Sequence, residues 1–310
     1  MPKESLIIPE EHSGKRLDIV LAQLFPQFSR SFLQTALKQG NILLNHLLVP
    51  AKQIVQGNET LTFDLLTTEK KDLWLPEAID FTIVYEDEEI LVINKPIGLV
   101  VHPGAGNWTG TLVNGLLHHD AHLAELPRSG IVHRLDKDTS GLMVVAKSWQ
   151  AHHALIKQLQ KHLVRREYLA LVYGIVTAGG TINAPIGRDA RDRLKMCIHD
   201  QGKPAITHYR IAKKFAAFTL LRIRLETGRT HQIRVHLNSI HHPIVGDPTY
   251  GKGLRLPKQA SAELVQALKN FTHQALHAEH LSFTHPISQE EMSFYAPLPE
   301  DFEQLIQHLC

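Results

Sequence analysis

The sequence predicts an α+β protein of two domains. A chain of 310 residues with 43% hydrophobic content is long for one average domain and apolar enough for a real core. A polar, Pro-containing stretch, "TTEKKDLWLPEAI" at 67 to 79, separates a helical pattern from an alternating one. Beyond it, strands follow one another in long runs broken by a few helices, without a regular βαβ series. The domains are therefore expected over 1–66 and 80–310, joined by a linker at 67–79.

In the first domain, residues 16 to 37 read as two short helices. Leu17, Val20, Leu21 and Leu24 form one apolar face and Phe32, Leu33, Ala36 and Leu37 the next, with Ser29 as an N-cap between them. Gly40 ends the second helix. "NILLNHLLV" at 41 to 49 predicts a small hairpin turning at Asn45-His46, and "ETLTF" at 59 to 63 a further strand. Lys15, Arg16, Arg30 and Lys38 surround the helix pair. This unit resembles an S4 domain, a small RNA-binding module, and the resemblance implies that these four cations meet RNA.

The second domain opens with a hairpin at 81 to 96, "FTIVYEDEEILVINKP". "LMVVAK" is a buried strand, and "WQAHHALIKQLQKHL" at 149 to 163 an amphipathic helix with Ala154, Leu155, Leu159 and Leu163 inward. "REYLALVYG" at 166 to 174, "ITHYRIAKKF" at 206 to 215 and "FTLLRIRLETG" at 218 to 228 add strands. "THQIRVHLNSI" at 230 to 240 is helical, because Ile233, Leu237 and Ile240 recur at helical spacing. "LSFTHPI" with "MSFYAPL" makes a last hairpin before a C-terminal helix.

With Cys197 and Cys310 alone, neither a disulfide framework nor a cysteine-rich metal site is indicated, and a reducing cytoplasm fits. The opening residues lack the apolar stretch of a secretory signal, and no later run reaches the ~18 apolar residues of a membrane helix. Net charge is only +2, but residues 133 to 250 carry 19 Lys and Arg against 8 Asp and Glu. A phosphate-bearing partner suits that segment, as does a plain solvated face. No Lys-Ser/Thr phosphate loop, no Gly-x-Gly-x-x-Gly and no Cys-x-x-Cys pair occurs, so nucleotide cofactors and structural zinc are not implied. Among 21 histidines, neither His277 with His280 nor His118 with His119 and His122 has a carboxylate or thiolate at ligand spacing, and no metal is expected.

"HRLDKDTSG" at 133 to 141 sets Arg134 two residues from Asp136, ahead of an apolar run. Its second half, Asp138-Thr139-Ser140-Gly141, reads as a turn, which leaves Arg134 and Asp136 unexplained. "ETGRTHQIRVH" at 226 to 236 supplies Arg229 in a turn and Arg234 on the helix, on the side away from Ile233 and Leu237. A guanidinium there can hold a buried carboxylate ionised through a bidentate pair, as an Asp nucleophile requires. Tyr168 sits on a strand among apolar neighbours.

"HRLDKDTSGLMVVAK", "REYLALVYG", "GKPAITHYRI", "LETGRTHQIRVHL" and "HPIVGDPTYG", in this order, resemble the motif set of the RluA family of RNA pseudouridine synthases. With the S4-like unit the resemblance spans nearly the whole chain. Residues 256 to 287 further resemble RluD-type members, which modify the helix 69 stem-loop of 23S ribosomal RNA. The resemblance implies a mixed, largely antiparallel sheet with flanking helices. It makes Asp136 the catalytic aspartate, Tyr168 the tyrosine against the uracil and Arg234 the arginine paired with the aspartate. Arg134 matches the arginine that fills the gap left by an extruded base, with His133 beside it, and Arg229 contacts RNA backbone. Arg188, Arg191, Arg193 and Lys195 in "IGRDARDRLKM" read as a loop gripping phosphate. "NKPIGLVVHPG" at 94 to 104 also matches the family and reads as scaffold with RNA contact. The reaction is an isomerisation at constant redox state, so no cofactor is implied.

The expected partner is 23S rRNA or a large-subunit precursor, met by a monomer. Two other classes remain at this level: an RNA-binding assembly factor without turnover, and a hydrolytic N-glycosylase, for which no second acid is evident.

Overall fold

The structure, a computed structural model, describes residues 4–25, 30–64, 74–104, 107–192, 194–251, 253–258 and 260–309. It divides into two compact units, Met1–Leu73 and Trp74–Cys310. Ser29 and residues 67–73 of the expected linker lie outside the described residues.

The smaller unit runs β1 (Glu4–Ile7), α1 (Leu17–Leu24), α2 (Arg30–Lys38), β2 (Ile42–Leu44) and β3 (Thr60–Phe63). Its strands lie in the order β1-β3-β2, all antiparallel. Val20 and Leu21 of α1 meet Leu33 and Leu37 of α2 over Ile42 and Leu61, the helical and alternating patterns converging on one small core. Asn45 and His46 both take positive φ, 48° and 64°, the geometry of a two-residue type I′ turn. The hairpin it closes is reduced to one bridge between Leu44 and Leu47, and β2 pairs with β3 instead.

The larger unit starts inside the expected linker. Trp74 packs on its core, Asn114 Nδ2 donates to the Leu75 carbonyl at 2.8 Å, and Glu77 accepts from the Gly110 amide at 3.0 Å. Residues 74–79 thus belong to this unit, because two side-chain hydrogen bonds and an aromatic ring tie them down.

Its elements are β4 (Thr82–Glu86), β5 (Ile90–Lys95), α3 (Leu112–His119), β6 (Ser140–Ala146), α4 (Trp149–Gln160), β7 (Arg165–Tyr173), β8 (Gly180–Asn183), β9 (Ile186–Arg188) and β10 (Met196–Ile198). There follow β11 (Ile206–Lys214), β12 (Phe218–Leu225), α5 (Gln232–Ser239), α6 (Ala262–Asn270), β13 (Leu276–Thr284), β14 (Glu291–Tyr295) and α7 (Glu300–Gln307). A nine-stranded sheet has the order β4-β5-β6-β13-β7-β12-β11-β8, with β14 also on β13, and β9 and β10 form a separate two-stranded arm. In the large sheet only β6 and β13 run parallel. The α+β class and the largely antiparallel sheet are as expected.

β6 is buried along its whole length because its alternate residues enter two cores. Met143 and Val145 join Leu116 and Tyr168 on one face, while Leu142 and Val144 join Ala151 and Leu155 of α4 on the other. α3 was not legible from periodicity: Leu112 through Leu117 are all buried, so no polar stripe marks a period. Leu163 is a correction. α4 ends at Gln160, His162 turns the chain at φ 58°, and Leu163 is 60% exposed. No helix among the described residues is long and apolar enough to cross a membrane.

Candidate active site

A cleft of about 950 Å³ opens on one face of the sheet, lined by Arg134, Asp136, Arg166, Tyr168, Arg229 and Arg234 among others. Three segments supply these six residues: the loop before β6, the start of β7, and the turn leading into α5 with the helix itself. That size accommodates a single extruded nucleotide.

The loop is held at nearly every residue. His133 Nε2 accepts from the Val144 amide at 3.1 Å, and the Asp136 carbonyl accepts from the Thr139 amide at 3.1 Å, closing the turn. Thr139 Oγ1 accepts from Gln274 at 3.1 Å, and Ser140 Oγ bonds His277 Nδ1 at 2.8 Å. Gly141 takes φ 114° where β6 passes against the Ala278 backbone, leaving no room for a Cβ. Lys95 is the tie that sequence reading left as scaffold. Its fully buried ammonium donates to the carbonyls of Pro96, Leu99 and Lys137 at 2.8, 3.0 and 2.9 Å, fixing the residue next to Asp136. Burial draws its pKa down to about 7, opposed by Asp138 and Asp136.

Asp136 faces the cleft with its side chain 18% exposed, and Arg234 Nη1 donates to its Oδ2 at 3.0 Å. The expected pair exists, but it is not the bidentate one. Arg234 directs Nε and Nη2 at Asp247, at 2.7 and 2.9 Å, and keeps one nitrogen for Asp136. Asp247, whose carboxylate is completely buried, also accepts from the amides of Thr249 and Tyr250 at 2.8 and 3.0 Å. Burial works against the charge of Arg234, and the two carboxylates outweigh it, raising its pKa. The guanidinium lies over the Tyr250 ring at 5.1 Å. Tyr250 Oη accepts from the Met196 amide and bonds His231 Nδ1, both at 2.9 Å, at the left-handed residue that starts α5.

Asp247 and Tyr250 lie in "HPIVGDPTYG", where an Asp two and three residues before amides is a legible turn signal and a partner thirteen positions upstream is not.

Tyr168 lines the same cleft, and its hydroxyl makes no hydrogen bond among the described residues. Burial pushes its hydroxyl pKa up, Arg166 pulls it down and Asp136 adds to the rise, so it remains a phenol at neutral pH. Arg134 is exposed at the cleft without an ion pair among the described residues. Arg229 is partly committed to the segment that leads into β11, donating from Nε to the Pro204 carbonyl at 3.0 Å. The one further carboxylate in the lining, Glu226, is bonded to His208 at 2.6 Å.

His133 serves the scaffold as an acceptor, which requires neutral Nε2. Burial, reinforced by Arg166, lowers its pKa from 6.5 to about 3. Between these values the unfolded chain binds a proton that the folded one does not, so this stability is whole above pH 6.5 and lost as pH falls toward 3. Urea midpoints followed from about pH 7 to about 4 are expected to decline less steeply in His133→Gln than in the parent; equal slopes would remove His133 from the acid response.

The family described as RNA pseudouridylate synthase matches residues 89–239. Ribosomal large subunit pseudouridine synthase D of Xylella fastidiosa is 52% identical across 97% of this chain and 91% of its own length. The chain belongs to the RNA pseudouridine synthase family. Synthase D of Pseudomonas aeruginosa is 51% identical across 97% of this chain and 94% of its own, which agrees with the RluD-type resemblance. The solved human RNA pseudouridylate synthase domain containing 4 superimposes with a TM-score of 0.58 at 27% identity, covering 74% of this chain and 92% of that one. The synthase is thus an isomerase of uridine in RNA.

The remaining cations of this pseudouridine synthase are dispersed. Arg188 is exposed on β9, away from the cleft lining, Lys195 pairs with Asp192 at 3.4 Å, and Arg193 lies outside the described residues. In the smaller unit, Arg16 and Arg30 converge on the buried Asp18 at 3.0 and 2.7 Å, with Gln34 at 3.0 Å. Burial opposes the Asp18 carboxylate, yet those hydrogen bonds hold its pKa below the ordinary value. Arg30 therefore braces α2 against α1, Arg16 closes on the first turn of its own helix, and both side chains stay partly exposed. Lys15 Nζ lies 3.3 Å from His12 Nδ1, and Lys38 is exposed at the end of α2. The paired histidines are engaged in the fold: His277 with Ser140 and the Ala296 carbonyl, His280 with Ser293. Among the described residues no three His, Cys, Asp or Glu side chains cluster to hold a metal.

Proposed function

We propose that this synthase converts uridines of the helix 69 stem-loop in 23S rRNA, on free RNA or a large-subunit precursor, as a cytoplasmic monomer without metal or nucleotide cofactor. The observation that carries the chemistry is Asp136, held at 3.0 Å by Arg234 at the floor of a cleft that Tyr168 also lines. The ribosomal target is supported by relatives named ribosomal large subunit pseudouridine synthase D across nearly the whole chain.

A uridine in a stem-loop is stacked, so it must be extruded into the cleft at a cost of a few kcal/mol. Arg134, exposed beside Asp136, stacks into the vacated place. Asp136 then either attacks C1′, with N1 of uracil taking the bonding pair, or removes the 2′ proton. The freed uracil turns, C5 joins C1′, and the C5 proton leaves while N1 gains one, so no atom is added. Tyr168, a neutral phenol on the cleft wall, relays the C5 proton. The smaller unit acts as an S4-like capture domain, with Lys15 and Lys38 and the exposed parts of Arg16 and Arg30 toward RNA. Arg188, Arg191 and Arg193 grip RNA backbone.

The test is to incubate the protein with a large-subunit rRNA transcript in buffer and salt, then map pseudouridine by carbodiimide-dependent primer-extension stops. Stops in the helix 69 loop are expected. Stops elsewhere would discard the target, and tight binding without stops on free RNA or on isolated subunits would favour the assembly factor. Free uracil would mean hydrolysis, against which stands the engagement of Glu226 by His208.

A further inference from the structure

Two buried guanidiniums enter the cleft, and they differ in one respect. Arg234 has two carboxylates, whereas Arg166 has no ion-pair partner within 4 Å among the described residues. Arg166 stands on β7 two positions before Tyr168 and so projects from the same face of the strand. Its neighbour Arg165 points to the other face and pairs with Glu167 at 2.6 Å. Arg166 is only 8% exposed, its Nε is buried with no partner, and its side-chain hydrogen bond among the described residues is a long 3.4 Å approach of Nη2 to the Glu226 carbonyl. The turn opposite is shaped around it: a Cβ on Gly228 would stand 2.9 Å from Nη1.

An arginine cannot shed its proton to escape burial, as a lysine can. An uncompensated buried guanidinium destabilises the free protein unless a counter-charge arrives. Both carboxylates of the lining are already engaged, Asp136 by Arg234 and Glu226 by His208. Neutral uracil carbonyls do not supply a negative charge, and the substrate's other group does. We infer that Arg166 binds a phosphate adjoining the extruded uridine, locking the nucleotide in the cleft; this rests on the family's RNA substrate. The coupling is direct, because the same strand carries the phosphate clamp and the phenol two residues apart.

Three full-length proteins separate this from a structural role: the parent, Arg166→Met and Arg166→Lys. Without RNA, Arg166→Met is expected to keep or raise the urea midpoint, since it removes an unpaired charge. A clearly lower midpoint would mark Arg166 as structural and overturn the inference. Binding to a helix 69 hairpin transcript should weaken about tenfold or more in Arg166→Met, with partial rescue in Arg166→Lys. The deciding measurement uses hairpins in which single phosphates flanking the target uridine are replaced by neutral methylphosphonates. At one position the parent should lose as much affinity as the Arg166→Met substitution costs, and the variant should lose nothing more. Equal losses for both proteins at every position would overturn the inference. Failure of the parent to bind or modify any hairpin would instead discard the helix 69 target, and the apo midpoint would still judge Arg166.

Discussion

Asp136→Asn is expected to lower pseudouridine formation by ~10⁴-fold or more while RNA affinity stays within about threefold. The substitution keeps the shape of the side chain and an oxygen that accepts from Arg234 Nη1, so the frame of the loop survives. Gly141, Thr139 and the Lys95 tie to Lys137 hold the backbone independently of the carboxylate. What disappears is the negative charge proposed to attack C1′ or remove the 2′ proton, and neither neighbouring carboxylate replaces it, because Asp247 is fully buried behind Arg234 and Glu226 is bonded to His208. Release of tritium from [5-³H]uridine-labelled rRNA measures the reaction through the proton it must displace. Retention of full release would end the assignment of Asp136 as the reacting group.

Asp247→Asn carries the second large effect, this time on stability as well as rate. Arg234 would keep a buried charge with a single carboxylate at Asp136, and an amide at 247 presents hydrogens to a guanidinium that needs acceptors. Breaking a buried pair by neutralising one partner costs about 3 to 5 kcal/mol. The turn amides of Thr249 and Tyr250 can still be accepted by the remaining oxygen, which localises the loss to the ion pair. Urea unfolding monitored by fluorescence should show that loss. Turnover should fall with it even where the protein is fully folded, since Arg234 is then free to reorient around Asp136. A midpoint unchanged from the parent would mean that Asp136 alone suffices to hold Arg234.

The strands were legible because their signal is local. β5, β6, β7, β11 and β12 are apolar or alternating runs bounded by polar turns, and they fall where the sequence places them. α3 escaped because helix periodicity is visible only when one side meets water, and this helix is buried nearly all round. Charge partners escaped for a different reason: an arginine declares its charge in the sequence but not its destination. Arg16 and Arg30 read as RNA ligands and are drawn onto Asp18, which a helical wheel places on the buried face beside Leu17 and Leu21. Likewise the pairing of Arg234 with Asp136 was readable, and its stronger attachment to Asp247 was not.

The placement of β13 at the centre of the sheet has a consequence for the order in which the protein is made. The loop that bears Asp136 precedes Arg234 by 98 residues, and the strand that sits between β6 and β7 is later still, at Leu276–Thr284. A chain emerging from the ribosome therefore exposes Asp136 long before the two halves of the sheet can close around it. Contacts of this sequence separation make folding slow. An RNA-modifying enzyme synthesised on a ribosome, within reach of ribosomal RNA, therefore has no closed cleft around that aspartate until Leu276–Thr284 has been translated.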